Sequence, residues 1–184
     1  QLFSIGLLQL KPDGTLLMDG RGQPIPTYDN DDITELAKIF TGLAFDGADR
    51  NFGDGEPNWT RPMRMYEEHH EPGSKYLIRG RYVPAGQTGM ADVSAAIDNL
   101  FRHPNVGPFL ARRLIQRLVT SNPSPAYVQR VSAAFANDGR SVRGNLKAVV
   151  SAILLDPEAR AWPTAGGTGK GMLREAFLRR VHLA

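Results

Sequence analysis

The residues best suited to chemistry lie together in one short turn. His69, His70 and Glu71 are followed by Gly73 and then by Lys75. A histidine on such a turn can act as a general base or bind a metal ion, with a carboxylate or an amine assisting. We therefore take His70, Glu71 and Lys75 as candidate catalytic residues.

The same turn has a purely structural interpretation. In that case Gly73 organises the turn, His70 forms a hydrogen bond to backbone, and Lys75 lies in solvent. Neighbouring side chains of an extended segment point in opposite directions, so His69 and His70 are not expected to face one ion. Many polar residues in loops have no functional role, so we prefer the structural interpretation.

A second group of polar side chains lies in a turn-rich segment, residues 44–62. Its carboxylates are hard oxygen ligands of the kind that bind Ca²⁺. They lack the ligand order of an EF-hand loop, so a solvated acidic loop is the preferred interpretation, and no cofactor is predicted. The weak candidate metal ligands are Asp46, Asp49, Asp54 and Glu56.

Arginine is prominent in the second half of the chain. Residues 1–88 carry 9 basic and 13 acidic side chains, whereas residues 89–184 carry 13 and 6. Arg112, Arg113 and Arg117 form a stripe that could contact a polyanion. The aromatic residues near this stripe belong to the apolar helix faces and form no exposed stacking surface. Nucleic acid is therefore not favoured, and the two oppositely charged halves are expected to neutralise each other.

Several functional classes are excluded by the sequence. The 184 residues contain no cysteine, which rules out thiolate metal sites and cysteine nucleophiles. Neither a Gly-x-Ser-x-Gly nor a His-Glu-x-x-His motif occurs, and the glycine-rich stretch 165–171 lacks Walker A spacing. No apolar run approaches the length of a membrane-spanning segment. Because no recognised catalytic motif is present, the sequence leaves open whether the protein is an enzyme.

The elements that hold the candidate turn lie in residues 1–88. A helix is predicted over residues 32–43, with Asp32 as its cap. Strands over 63–67 and 76–83 are predicted to form a hairpin with a long connection. Two Asp-Gly turns near residues 12–22 indicate a small hairpin or two linked turns.

From residue 89 onward the pattern is helical. The predicted helices are one ending at His103-Pro104, one over 107–119, one ending near 137–139, one capped by Ser141, and one over 172–182. The predicted fold is mainly α, with a helical bundle over 89–184 and a small hairpin and loop-rich layer over 1–88. We expect one domain, with the first layer as a minor α+β component.

Six short motifs occur in order along nearly the whole chain. They are Leu2-Phe3-Ser4-Ile5-Gly6; Asp31-Asp32-Ile33 with Ala37-Lys38-Ile39-Phe40-Thr41-Gly42; His70-x-x-Gly73-x-Lys75 with Gly80; His103-Pro104 with Ala111-Arg112-Arg113-Leu114; Asn122-Pro123-x-Pro125; and Leu173-Arg174-Glu175. In these motifs the chain resembles an uncharacterised bacterial family, domain of unknown function 1800.

The resemblance implies that the chain is the C-terminal portion of a longer, exported bacterial protein, with a periplasmic or extracellular location. The start at Gln1, without an initiator Met, agrees with a fragment. The family supplies no activity, cofactor or substrate. We predict a non-catalytic interaction or scaffold module, whose partner is another exported protein or the missing N-terminal part of the chain. The alternatives are an enzyme of unassigned, hydrolytic class that uses His70, and polyanion binding through the arginine face.

Overall fold

The computed structural model describes residues 4–48, 55–56 and 58–161. The chain divides into two compact units. Unit 1 combines residues 1–25 with residues 104–184, and unit 2 comprises residues 26–103. Each unit has its own apolar core.

Unit 2 begins with helix α1 (Asn30–Ile39). The Asp29 carboxylate accepts hydrogen bonds from the N–H groups of Asp31 and Asp32, at 2.9 and 3.0 Å. In return, the Asp32 carboxylate accepts from the N–H of Asp29. The predicted cap at Asp32 is therefore wrong. Asp29 is the N-cap, and Asp32 completes the capping box from inside the helix.

Among the described residues of unit 2, four short strands form two separate antiparallel pairs. They are β1 (Leu43–Ala44) with β2 (Arg64–Met65), and β3 (Lys75–Leu77) with β4 (Arg81–Val83). The predicted hairpin of 63–67 with 76–83 is wrong. Met65 pairs with Leu43, just after α1, and the second predicted strand folds back on itself through a turn at Ile78–Gly80.

Helix α2 (Gly89–Phe101) completes unit 2 and packs against α1 and β4. The Thr88 hydroxyl caps it by accepting a hydrogen bond from the N–H of Ala91. Both helices and the β3–β4 hairpin contribute to one small core. The buried core residues are Ile39, Leu77, Val83, Val93 and Ala96.

In the described residues of unit 1, the part from Val106 to Arg160 is mainly helical. Its helices are α3 (Val106–Leu118), α4 (Pro125–Ala136), α5 (Leu146–Leu155) and α6 (Pro157–Arg160). The N-cap of α5 is Asn145, whose side chain accepts from the N–H of Lys147. The predicted cap, Ser141, is wrong: it lies before the helix in a left-handed conformation, with φ of 64°. The predicted helix over 172–182 lies outside the described residues.

The core of unit 1 lies between α3, α4 and α5. Its buried residues are Ala111, Ile115, Tyr127, Val128, Val131, Phe135, Val149 and Ile153. Near the N-terminus the sequence predicts a small hairpin or two linked turns, and the structure has two isolated antiparallel bridges, Leu10 with Leu16 and Met18 with Pro24. Taken with unit 2, these elements confirm a mainly α chain with two small antiparallel sheets. No helix within the described ranges is both long and apolar enough to cross a membrane.

Candidate functional site

Two of the predicted site residues meet at a buried carboxylate in unit 2. One oxygen of Asp92, Oδ2, lies 2.6 Å from Lys75 Nζ and 3.1 Å from His70 Nε2. The other oxygen accepts a hydrogen bond of 3.1 Å from the Gln87 side-chain amide. The side chains of the three ionisable residues are only 1–2% exposed. We call these four residues the Asp92 network.

The second nitrogen of His70 is also engaged. Nδ1 lies 2.9 Å from the backbone carbonyl of Thr41, which can only accept a hydrogen bond. The Thr41 hydroxyl donates to the carbonyl of Lys38 and accepts from the N–H of Glu71, at 2.6 and 2.8 Å. Its proton is thereby used, so His70 Nδ1 donates to the Thr41 carbonyl. Neither ring nitrogen of His70 is left to face a substrate.

The Lys75 ammonium group binds the backbone of the turn that precedes it in the chain. Its ammonium group donates to Asp92 and to the carbonyls of Glu71 and Gly73, which uses all three protons. The Glu71 carboxylate accepts from the N–H of Gly73 at 3.0 Å. The expectation that Lys75 lies in solvent is wrong, because the turn closes around its ammonium group. Glu71 takes part through its backbone carbonyl and as a cap of the turn.

Gly42 allows the chain after α1 to approach this turn closely. Its backbone is left-handed, with φ of 83°, and its carbonyl accepts from the N–H of Tyr66 at 2.8 Å. A Cβ atom at Gly42 would lie 2.6 Å from the Tyr66 carbonyl oxygen and 3.1 Å from the backbone nitrogen of His70. Only glycine fits here, for both its φ and its size.

The start of α2 is fixed to the same region. The Glu67 carboxylate accepts hydrogen bonds of 2.9 and 3.2 Å from the N–H of Gly89, the first residue of α2. Asp92 lies one turn further along that helix. It was missed by the sequence analysis, although it precedes Val93 and lies one turn from Ala96 on the predicted apolar face. A single acidic residue on such a face is the signal that could have found it.

A different kind of site lies in unit 1, where a groove of about 780 Å³ runs along α3. Four polar residues of α3 share one side of the groove because they recur at helical spacing. These are Arg112, Arg113, Gln116 and Arg117. Phe109 and the leucines of the N-terminal segment supply apolar walls, and Leu7 is 60% exposed.

The N-terminal segment is held against α3 by one buried side chain. The Asn105 amide donates to the carbonyls of Ile5 and Leu8 at 2.9 and 2.8 Å, and accepts from the N–H of Leu10 at 2.9 Å. Asn105 is 1% exposed. The apolar wall formed by this segment is therefore fixed in position relative to the helix.

Two arginines of the groove, Arg112 and Arg113, keep their charges available. Arg113 lies over the ring of Phe109, with its guanidinium carbon 5.4 Å from the ring centroid. Arg112 and Arg113 are exposed, and neither forms an ion pair with any residue that the structure describes. The predicted polyanion candidates thus border an apolar groove.

Comparison with known proteins identifies the family. The model of a family described as protein of unknown function (DUF1800) matches residues 1–178. The chain belongs to DUF1800. This confirms the resemblance drawn from the six motifs. No curated protein and no solved structure matches the chain.

The Asp92 network gives the DUF1800 motifs of unit 2 a physical meaning. The motif Thr41-Gly42 supplies a carbonyl to His70 and room for its backbone. The motif His70-x-x-Gly73-x-Lys75 supplies the imidazole and the ammonium group that contact Asp92, and one of the carbonyls that bind the ammonium group. These separated motifs therefore meet at His70, which in turn contacts Asp92, a residue outside both motifs.

Only two of the weak metal candidates, Asp46 and Glu56, lie in the residues that the structure describes. Asp46 forms an ion pair of 3.0 Å with Arg61, and Glu56 is exposed. Asp49 and Asp54 lie outside the described residues. Among residues 4–48, 55–56 and 58–161, no group of three or more histidine and acidic side chains is arranged to hold a metal ion.

Proposed function

We propose that this DUF1800 chain is a non-catalytic binding module that holds an acidic, partly apolar segment of a partner protein. The observation that supports this is the groove of unit 1, where exposed guanidinium groups lie beside exposed apolar surface. A segment with carboxylates next to leucine or phenylalanine complements both walls. The motif resemblance suggests that this partner is another exported protein.

The groove suits such a segment in size and chemistry. Its volume of about 780 Å³ falls in the range typical of ligand sites, roughly 300–1,000 Å³. Arginine pairs with carboxylates through two parallel hydrogen bonds, and Arg112 and Arg113 are exposed for such contacts. Burying Leu7, which is 60% exposed, would add a hydrophobic contribution.

The Asp92 network supports a structural role for the histidine turn. A general base needs a nitrogen within hydrogen-bonding reach of a substrate proton. Both ring nitrogens of His70 already bind Asp92 and Thr41, and all three ammonium protons of Lys75 are used. Neither the groove of about 780 Å³ nor the cavity of about 370 Å³ is lined by His70 or Lys75. These contacts favour a binding module over a hydrolase that uses His70.

The binding test uses two short fluorescent peptides with the complete 184-residue chain. One peptide alternates leucine and glutamate, and the second replaces each glutamate by glutamine. Fluorescence anisotropy should show tighter binding of the acidic peptide, and added salt should weaken it because exposed charges are screened. The double variant Arg112→Gln/Arg113→Gln should bind it about tenfold more weakly or worse. Arg140→Gln, at an exposed arginine outside the groove, should leave binding unchanged.

Three results would contradict the proposal. Equal binding of the glutamine peptide would show that the groove does not recognise acid groups. Unchanged binding by the double arginine variant would place the contact elsewhere. Tighter binding of a single-stranded oligonucleotide, lost in the same variant, would instead assign this arginine face to a polyanion.

A further inference from the structure

A second cationic cluster lies in unit 2, at the tight turn between β3 and β4. A cavity of about 370 Å³ opens there beside the C-terminal end of α2. Its lining residues are Arg79, Gly80, Arg81, Asn99, Arg102 and His103. Three arginines therefore line a small cavity, and none of its lining residues belongs to the Asp92 network or to the groove along α3.

The charges of this cluster are poorly neutralised. Among described residues, only Asp98 forms an ion pair with any of the three arginines, at 4.0 Å from Arg102. The side chains of that pair are 66% and 78% exposed, so water screens the contact strongly. Arg79 and Arg81 are exposed and form no ion pair with any residue in the described ranges. An anion entering the cavity would meet an excess of positive charge.

The backbone of Arg79 has an unusual conformation. Its φ is 63° and its ψ is 29°, in the left-handed region that disfavours side chains with a Cβ. Glycine would adopt this conformation without strain, as Gly80 does at φ of 68°. The Asn99 side-chain amide donates to the Ile78 carbonyl at 3.1 Å and so ties the turn to α2. The turn thus carries a charged side chain at a position where glycine would be free of backbone strain.

His103 supplies a different group at the cavity wall. It is 6% exposed, and burial together with the nearby Arg79 charge lowers its pKa below the ordinary histidine value. The imidazole is therefore neutral near pH 7. The carbonyl end of α2 carries only about half a negative elementary charge, which three guanidinium groups outweigh. The cavity thus combines charged and neutral polar groups around one point.

We propose that this cavity binds the phosphate group of a small phosphomonoester. A phosphate dianion has the charge to pair with several guanidinium groups, and its oxygens accept two parallel hydrogen bonds from each arginine. A carboxylate has one charge and two oxygens, and so matches three neighbouring arginines less well. The cavity volume suits a single phosphate group with a small substituent, rather than a polymer.

The test follows the ring resonances of His103 by NMR in the complete chain. The probes are inorganic phosphate and glycerol 3-phosphate, with sodium chloride at matched ionic strength as the control. A saturable shift of His103 with either phosphate, and none with chloride, is the expected result. Since a bound anion favours the charged imidazole, the pKa of His103 should rise when phosphate binds. Tighter binding of the ester than of inorganic phosphate would identify the ester as the preferred source.

Arginine variants separate binding from folding. Arg81→Gln should weaken phosphate binding about tenfold or more, and Arg64→Gln, at an exposed arginine of unit 2 outside the cavity, should not. Arg79→Gly removes the guanidinium group and the left-handed strain together. It should therefore weaken phosphate binding as much as Arg81→Gln does, while the melting temperature stays the same or rises. A purely structural Arg79 would lower that temperature instead.

Three observations would overturn the proposal. They are an absence of saturable shift with both phosphates, an equal response to chloride, and phosphate binding that survives Arg79→Gly and Arg81→Gln. Because the peptide test concerns the groove of unit 1, its failure leaves this proposal unaffected.

Discussion

The two units of this DUF1800 chain stabilise a buried carboxylate in different ways. In unit 2, Asp92 is held by His70 and Lys75, and all three side chains are almost completely excluded from water. In unit 1, Asp156 is also buried, with 3% of its side chain exposed, but its partner Arg130 keeps 48% of its side chain exposed. Water can take the place of a lost partner at Asp156 and cannot do so at Asp92. The two carboxylates therefore differ in how much stability depends on each contact.

The two units also differ in how much of their packing is apolar. In the described part of the chain, the core of unit 1 contains eight buried apolar residues, and that of unit 2 contains five. Unit 2 fixes its long turns with side-chain contacts to backbone, as at Lys75 and Glu67. Such a network contributes little net stability compared with apolar packing, but removing one partner leaves a buried charge unpaired. The buried polar network of unit 2 therefore holds its loops in one arrangement, which the small apolar core alone would not determine.

Asp92→Asn tests this difference most strongly. The substitution leaves the Lys75 ammonium group buried without a counter-charge, which should destabilise unit 2 by about 3–5 kcal/mol. Hydrogen exchange measured by mass spectrometry separates the two units, and peptides from residues 26–103 should lose protection first. Asp98→Asn, on the exposed side of the same helix, should change little.

The double variant Asp92→Asn/Lys75→Met sharpens the result. Because the two side chains interact directly, its effect should be smaller than the sum of the single effects. Additive effects would show that the two residues act independently. An equal loss of protection in residues 104–161 would show that the network also stabilises unit 1, and the contrast between the units would fail.

Gly42→Ala should destabilise unit 2 through a backbone contact rather than through a charge. Alanine would be left-handed at this position, and its Cβ would lie 2.6 Å from the Tyr66 carbonyl oxygen. We expect a loss of about 2–4 kcal/mol in the free energy of unfolding of unit 2. Gly86→Ala is the matched control, since Gly86 has φ of 78° and no atom within 4 Å of an added Cβ. If both variants lose the same stability in urea unfolding, the close approach at Gly42 contributes nothing.

The sequence predicted elements of this region better than their contacts. Periodicity located α2 and α3 because a helix face leaves a regular apolar pattern. The β1–β2 pair has two residues in each strand, too few for an alternating pattern, so the strand at 64–65 was paired with the wrong partner. Asp92 and Lys75 meet through long-range contacts with side chains and carbonyls. Such contacts leave no periodic signal, and a lysine by itself indicates an exposed side chain.

The arginine groove illustrates the same limit in unit 1. Helical spacing placed Arg112, Arg113 and Arg117 on one stripe, which the structure confirms. The leucines opposite them come from a segment about a hundred residues earlier in the chain. Asn105 holds that segment through carbonyls of the backbone, which no sequence pattern records. The charge of the site was therefore predictable, whereas its apolar wall was not.

Tyr127→Phe tests the larger core of unit 1. In an α-helix the carbonyl of Ile153 would accept from the N–H of residue 157, but Pro157 has none. The Tyr127 hydroxyl donates to that carbonyl instead, at 2.7 Å. Loss of this buried hydrogen bond should lower the free energy of unfolding of unit 1 by about 1–3 kcal/mol. Hydrogen exchange of residues 146–157 measures the effect, and Tyr82→Phe, at a half-exposed tyrosine of unit 2, is the control.

The same tyrosine predicts an alkaline limit for unit 1. Burial, with Asp156 and Glu158 nearby, raises the pKa of Tyr127 to about 12. Since the folded pKa exceeds the unfolded value of 10.0, the hydroxyl contributes fully below about pH 10, and the contribution falls as pH rises through the folded pKa. Spectrophotometric titration should show one late-ionising tyrosine that disappears in Tyr127→Phe. A complete tyrosine titration near pH 10 with the fold intact would contradict this assignment.

Arg130→Gln gives the smallest expected effect and the closest comparison with Asp92. The Arg130 guanidinium donates to both oxygens of Asp156, at 2.7 and 2.8 Å, and this lowers the pKa of the Asp156 carboxyl below its ordinary value. Because the guanidinium is half exposed, its loss should destabilise unit 1 by less than about 1 kcal/mol at pH 6–7.

The acid dependence of Arg130→Gln then distinguishes the two ways of stabilising a carboxylate. A lowered folded pKa contributes stability above the ordinary pKa near 4, and this contribution is lost as pH falls through the folded value. The difference between wild type and Arg130→Gln in urea unfolding should therefore be present at pH 6 and shrink below about pH 4. A loss as large as that of Asp92→Asn would mean that water does not replace Arg130. Exposure of one partner would then not explain why the two buried carboxylates differ.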